Sequence, residues 1–134
     1  MPLDLSSLRK ALASLERAVV RATDAPDDAE LRDSVIQRFE YTYELCWKML
    51  KRQIELDAPT PAAIDALSFR ELVREGAERG LVADPEAWFD YRDQRNATAH
   101  TYDEAKAAEV YRAALAFTQS ARELLAQLTA RAGR

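Results

Sequence analysis

One stretch of this chain restricts its fold more than any other, the run from roughly residue 28 to 57, where Ile36, Phe39, Tyr43, Trp47, Leu50 and Ile54 recur at helical spacing with no proline or glycine between them. A segment of that length and period is a helix of about eight turns. Leu45 and Met49 lie well round from its apolar face, so the buried arc is wide. A helix buried so broadly is central to a bundle or also packs against another subunit.

The flanking segments carry the same period. Ser6 or Ser7 is positioned to cap a first helix with Leu8, Leu12, Leu15, Val19 and Ala22 on one stripe, ending near Asp24-Ala25-Pro26-Asp27. Pro59 and Pro61 open what reads as a loop to Ser68, where Ser68-Phe69-Arg70-Glu71 has the form of a capping box for a short helix with Phe69, Leu72, Val73 and Ala77, stopping near Gly80. Asp84-Pro85-Glu86 starts another helix, with Trp88, Tyr91 and Arg95 on one side. A last helix begins near Asp103, carries Tyr111, Leu115, Thr118, Ala121, Leu125 and Leu128, and is expected to fray after Ala130. Five helices result, four of them long enough for an antiparallel bundle. With 134 residues, 48% of them apolar, and no internal repeat or linker, a single all-α domain over residues 1–134 is expected.

Composition narrows function by exclusion. The formal charge of −4 argues against a surface that tracks nucleic acid broadly, and leaves room for a small basic pocket that takes a short stretch of RNA or a nucleotide. The lone Cys46 excludes an intramolecular disulfide and a cysteine-based metal cluster, and beside Trp47 it reads as core packing. No run of about 18 apolar residues and no basic segment leading into an apolar one occurs, so a cytoplasmic protein without membrane insertion is expected.

Chemistry concentrates in Arg95 to Tyr102, which read R-N-A-T-A-H-T-Y and hold the chain's one histidine, His100. At about 100° per residue, a separation of five puts Arg95 and His100 roughly 140° apart on an unbroken helix. They can meet on one ligand only if the helix ends between them or if a second copy of the chain completes each. A break is expected, because Asn96, Thr98 and Thr101 are weak helix formers and Asp103 is a natural cap for the last helix. An arginine on the aromatic side of its helix needs a partner or a ligand.

A histidine beside an arginine suits phosphodiester cleavage, the imidazole taking a proton from an RNA 2′-hydroxyl while the guanidinium holds the phosphate, with no metal or other cofactor required. The structural alternative has His100 capping a helix and Arg95 paired with Asp93 or Glu44. Tyr102 reads as a phosphate hydrogen-bonding group, a modification target or a half-buried aromatic. Glu40, Glu44, Lys48 and Arg52 form a stripe at intervals of four, read either as a solvated face with a Glu44 to Lys48 pair or as residues lining a pocket that faces Arg95. Trp47 and Trp88 read as core or interface aromatics rather than base-stacking platforms.

Taken together, the segments Phe39-Glu40-Tyr41-Thr42-Tyr43-Glu44-Leu45-Cys46-Trp47-Lys48 and Arg95-Asn96-Ala97-Thr98-Ala99-His100-Thr101-Tyr102 resemble the nucleotidyltransferase substrate-binding protein family of the HEPN superfamily, which includes the HepT-like toxins. The resemblance implies an up-and-down four-helix bundle with an added short helix, usually a homodimer, working with a minimal nucleotidyltransferase. It implies that Arg95 and His100 form the R-x-x-x-x-H catalytic pair of a metal-independent ribonuclease toxin, with Asn96 as a supporting polar group. Two copies of that motif would meet in one cleft across the dimer. Tyr102 stands where the nucleotidyltransferase of such toxin-antitoxin modules adds adenylyl groups. The aromatic segment of the second helix is more similar to the substrate-binding branch, which implies the alternative of a non-catalytic subunit that presents substrate to the nucleotidyltransferase. A purely structural helical dimer would leave Arg95, His100 and Tyr102 without a purpose.

Overall fold

The computed structural model describes residues 3–132. Six α-helices and one 3₁₀ turn are present among the described residues: α1 (Ser6–Asp24), α2 (Ala29–Asp57), α3 (Pro61–Asp65), α4 (Phe69–Glu78), α5 (Pro85–Asn96), the 3₁₀ turn Ala97–His100, and α6 (Glu104–Ala132). The expected all-α bundle is observed, with α1, α2, α5 and α6 as its long members. None of these helices is long and apolar enough to cross a membrane.

Most helix starts follow from local chemistry. The Asp28 carboxylate accepts from the amides of Glu30 and Leu31, and Asp84 accepts from Ala87 ahead of a helix with Pro85 in its first turn. The capping box of α4 is complete, with the Ser68 and Glu71 side chains each accepting from the other's backbone N–H. That contact holds the Glu71 carboxyl below its ordinary pKa. Gly80 follows α4 with φ of 78°, the left-handed geometry that glycine adopts without strain.

Three local expectations need correction. Neither Ser6 nor Ser7 caps α1; Leu5 occupies the cap position and the upstream Asp4 carboxylate accepts from the Ser6 amide. The stretch after Pro61 is not all loop, because Pro61 opens a one-turn helix whose Ile64 is buried and whose Asp65 pairs with Lys51 at 3.0 Å. The buried face of α6 is Ala107, Val110, Ala114, Phe117, Thr118, Ala121, Leu124 and Leu128, so the expected Thr118, Ala121 and Leu128 are buried while Tyr111, Leu115 and Leu125 lie at its margin, and the helix continues to Ala132.

Helix α2 packs against every other helix, as its broad apolar arc requires. At its middle an aromatic cluster gathers around Phe117. Its ring lies 5.1 Å from Phe39, 5.2 Å from Tyr91 and 5.6 Å from Trp88, each in edge-to-face geometry. Tyr91 also shares a 2.7 Å hydrogen bond with Ser120. Trp88 and Tyr91 thereby fix α5 against α2 and α6. Cys46 is fully buried in this core, and burial pushes its thiol pKa up.

Candidate functional site

The last turn of α5 leaves the aromatic core and enters a polar zone. Arg95 keeps about a third of its side chain exposed and reaches across to α2, where its Nε donates to Glu44 Oε1 at 2.9 Å and an Nη lies 3.6 Å from Glu40 Oε1. Of the two partners expected for Arg95, Glu44 is the one found. The other Glu44 oxygen accepts from the Trp47 indole N–H at 3.1 Å, so one carboxylate is held from two sides. A partly exposed pair of this kind contributes roughly 0–1 kcal/mol to stability, so exchanging Glu44 for another anion costs little.

The helix does break between Arg95 and His100. The Ala97 amide is shared among the carbonyls of Asp93, Gln94 and Arg95, and the chain tightens into the 3₁₀ turn. Thr98 and Thr101 donate their hydroxyls to the carbonyls of Arg95 and Thr98, which stabilises a turn against a continuing helix. Asp103 then accepts from the amides of Ala105 and Lys106 and starts α6. The turn leaves His100 exposed, its ring 6.2 Å from that of Tyr102. Tyr102 is 84% exposed and is not the half-buried aromatic that one reading of the sequence allowed.

Arg95 and His100 do not line one cleft within the chain. Arg95, with Asn96 and Glu44, lines a cleft of about 540 Å³ between α2, the α3–α4 region and α5, and His100 is not among its walls. Trp47, Phe69 and Tyr43 supply aromatic surface there, while Lys51 and Arg92 supply charge beside Arg95. The Arg92 guanidinium stacks 4.8 Å from the Phe69 ring centre. Burial raises the Tyr43 pKa, keeping its phenol neutral.

Lys48 does not face Arg95. It is exposed, sits 6.0 Å from the Trp47 ring centre, and lines a shallow groove with Lys10 and Tyr41; the expected Glu44 to Lys48 ion pair is not formed. Lys51, one turn on, takes the place in the cleft that the stripe suggested for Lys48. Lys51, Arg92 and Trp47 as cleft residues were missed by sequence reasoning, although the clustering of cations with aromatics along residues 47–51 and 88–92 was a usable signal.

A helical bundle in which one helix ends in a polar break, next to a cleft walled by cations and aromatics, has the HEPN-like fold. Residues 3–130 match the family model described as nucleotidyltransferase substrate binding protein like, and the chain belongs to that family. It is 41% identical over 117 residues to a Haemophilus influenzae protein named "Probable ribonuclease HepT", with 81% of this chain and 80% of that protein covered. A solved Haemophilus influenzae structure, described as revealing the fold of a substrate binding domain of a nucleotidyltransferase, superposes with a TM-score of 0.89 at 39% identity, covering 94% of this chain and 99% of the other. A Thermus thermophilus structure superposes with a TM-score of 0.74 at 29% identity, covering 90% of this chain and 98% of the other.

Proposed function

We propose that this chain is a helical-bundle subunit that works with a minimal nucleotidyltransferase and, as a homodimer, cleaves RNA with Arg95 and His100. The observation that carries the reading is the break after α5, which separates a carboxylate-held Arg95 from an exposed His100. A site built from such a pair needs a second copy of the chain to bring a histidine toward an arginine. The reaction requires little else. The His100 imidazole takes the proton of an RNA 2′-hydroxyl, the 2′-oxygen bonds to the adjacent phosphorus, and the bond to the 5′-oxygen breaks. The products are a 2′,3′-cyclic phosphate and a 5′-hydroxyl that takes up a proton. Arg95, exchanging Glu44 for the phosphate, offsets the charge on the phosphoryl oxygens, and Asn96 adds a polar contact. The exposure of Tyr102 beside His100 supports adenylylation there by the partner as the means of silencing.

The test is RNA cleavage by purified chain, read together with growth arrest on its expression alone. Arg95→Ala and His100→Ala should each lower cleavage by about 10²–10⁴-fold and abolish arrest. Unchanged cleavage in both variants would reject the assignment.

The cleft favours a second reading, a non-catalytic subunit that presents a substrate to the nucleotidyltransferase. Its aromatic walls and the Arg92, Arg95 and Lys51 cations match an anionic ligand with a flat ring. Under that reading His100→Ala is silent, whereas Trp47→Ala and Arg92→Ala reduce transfer by the complex.

A further inference from the structure

A second, smaller pocket of about 140 Å³ lies between α1 and α2 and shares no lining residue with the Arg95 cleft. Three arginines border it: Arg17 and Arg21, one turn apart on α1, and Arg38 on α2. They belong to the arginines of the described residues that no carboxylate holds, unlike several others. Arg32, Arg79, Arg95, Arg122 and Arg131 each hold a carboxylate at 2.7–2.9 Å. Among the described residues no carboxylate comes within 4.0 Å of Arg17, Arg21 or Arg38, although the chain as a whole is acidic.

Arg38 is half-buried and fixed in direction. Its Nε donates to Ser14 Oγ at 2.9 Å, and its Nη1 donates to the Ser34 carbonyl at 3.3 Å and to the Ser34 hydroxyl oxygen. Ser14 Oγ accepts a further hydrogen bond, at 3.1 Å, from the Tyr41 hydroxyl. A hydroxyl has one hydrogen to give, and both serines act here as acceptors, so each keeps its own O–H for another partner. The pocket therefore presents guanidinium N–H groups and two hydroxyl donors, with no acidic side chain in its lining to receive them. Three like charges around so small a space repel one another unless an anion lies between them.

We propose that this pocket is a phosphate site that takes one phosphoryl group of a phosphate ester, with Arg38 as the oriented inner ligand and Arg17 and Arg21 closing from α1. The pocket, about 140 Å³ and open to solvent on one side, suits a single tetrahedral oxyanion with the rest of its ester lying outside. The Arg38 Nη2, which those serines leave without a partner, and the planar forks of Arg17 and Arg21 match the phosphoryl oxygens, and the serine hydroxyls match the rest. The site is independent of cleavage at His100 and of substrate presentation in the Arg95 cleft.

Titrating the isotope-labelled full chain with inorganic phosphate at low ionic strength, while following backbone amides and arginine Nε–Hε resonances, tests this. Saturable shifts at Ser14, Arg17, Arg21, Ser34 and Arg38 are expected, and Arg17→Gln combined with Arg21→Gln, both at exposed positions, should weaken them at least tenfold. Arg38→Lys, which keeps the charge and loses the fork, should also weaken binding. Non-saturating shifts spread over all basic residues, or shifts equal in the double variant, would overturn the site. Adenosine monophosphate and a dinucleotide without a terminal phosphate then separate a monoester from a diester source. Binding of phosphate with neither ester would overturn the assignment to an ester.

Discussion

The centre of the bundle and the end of α5 are built on opposite terms, although a single helix joins them. Around Phe117 the side chains are buried and packed ring against ring, whereas four residues beyond Tyr91 the same helix holds a partly exposed arginine, and the turn after it leads to an exposed histidine and a tyrosine almost wholly in solvent. Rigidity is supplied by Trp88 and Tyr91, and the exposed polar groups that follow contribute little to folding. A polar group is useful to a ligand only if the fold does not need it, and the short 3₁₀ turn is where that handover occurs.

Substitutions on either side of that turn put the contrast at risk. Phe117→Ala should lower the unfolding free energy by about 3–5 kcal/mol, because it removes the ring on which α2, α5 and α6 meet and leaves a cavity. Chemical denaturation checks it, and a loss below about 1 kcal/mol would mean the cluster is looser than its geometry. Asp103→Ala, which strips the cap from α6 at the boundary between the two regions, should cost about 0.5–2 kcal/mol.

Alkaline pH should weaken the interior. The phenols of Tyr43 and Tyr91 have pKa values raised above 10.0, chiefly by burial. The neutral phenol is favoured in the fold, so its contribution is complete below pH 10 and is lost as pH rises from there toward the folded value. Denaturation midpoints at pH 8 and above pH 10 should diverge, and Tyr91→Phe should narrow the gap. At the other extreme, His100→Ala and Tyr102→Phe should leave stability within about 0.5 kcal/mol, since neither side chain is buried. A larger loss in the thermal midpoint would show that the turn is held by these side chains.

Much of the fold was legible because its signals are short-range. The caps at Ser68, Asp84 and Asp103, the stop near Gly80 and the break after Arg95 all depend on residues within about four positions of one another. The helix α3 was missed because two nearby prolines usually mark a loop, and only the contacts of Ile64 and Lys51 with the rest of the chain hold that turn in place. On α6 the expected Thr118, Ala121 and Leu128 are buried, whereas Tyr111, Leu115 and Leu125 stand one position from the buried Val110, Ala114 and Leu124. Over 29 residues several adjacent stripes carry apolar residues, and the choice among them is made by the helices opposite.

An all-helical bundle, the position of its breaks and the family can all be read from residue order, because periodicity, capping and the R-N-A-T-A-H-T-Y segment need no knowledge of what lies across the core. Only the folded arrangement makes Glu44 rather than Asp93 the holder of Arg95, turns Lys51 rather than Lys48 toward the cleft, and brings Arg38 to Arg17 and Arg21 around a pocket with no carboxylate in its lining. These partners are 17 to 51 positions apart or differ by a single turn of α2. Their meeting depends on how helices cross and rotate against one another, which the summed packing of the core fixes and no local pattern encodes.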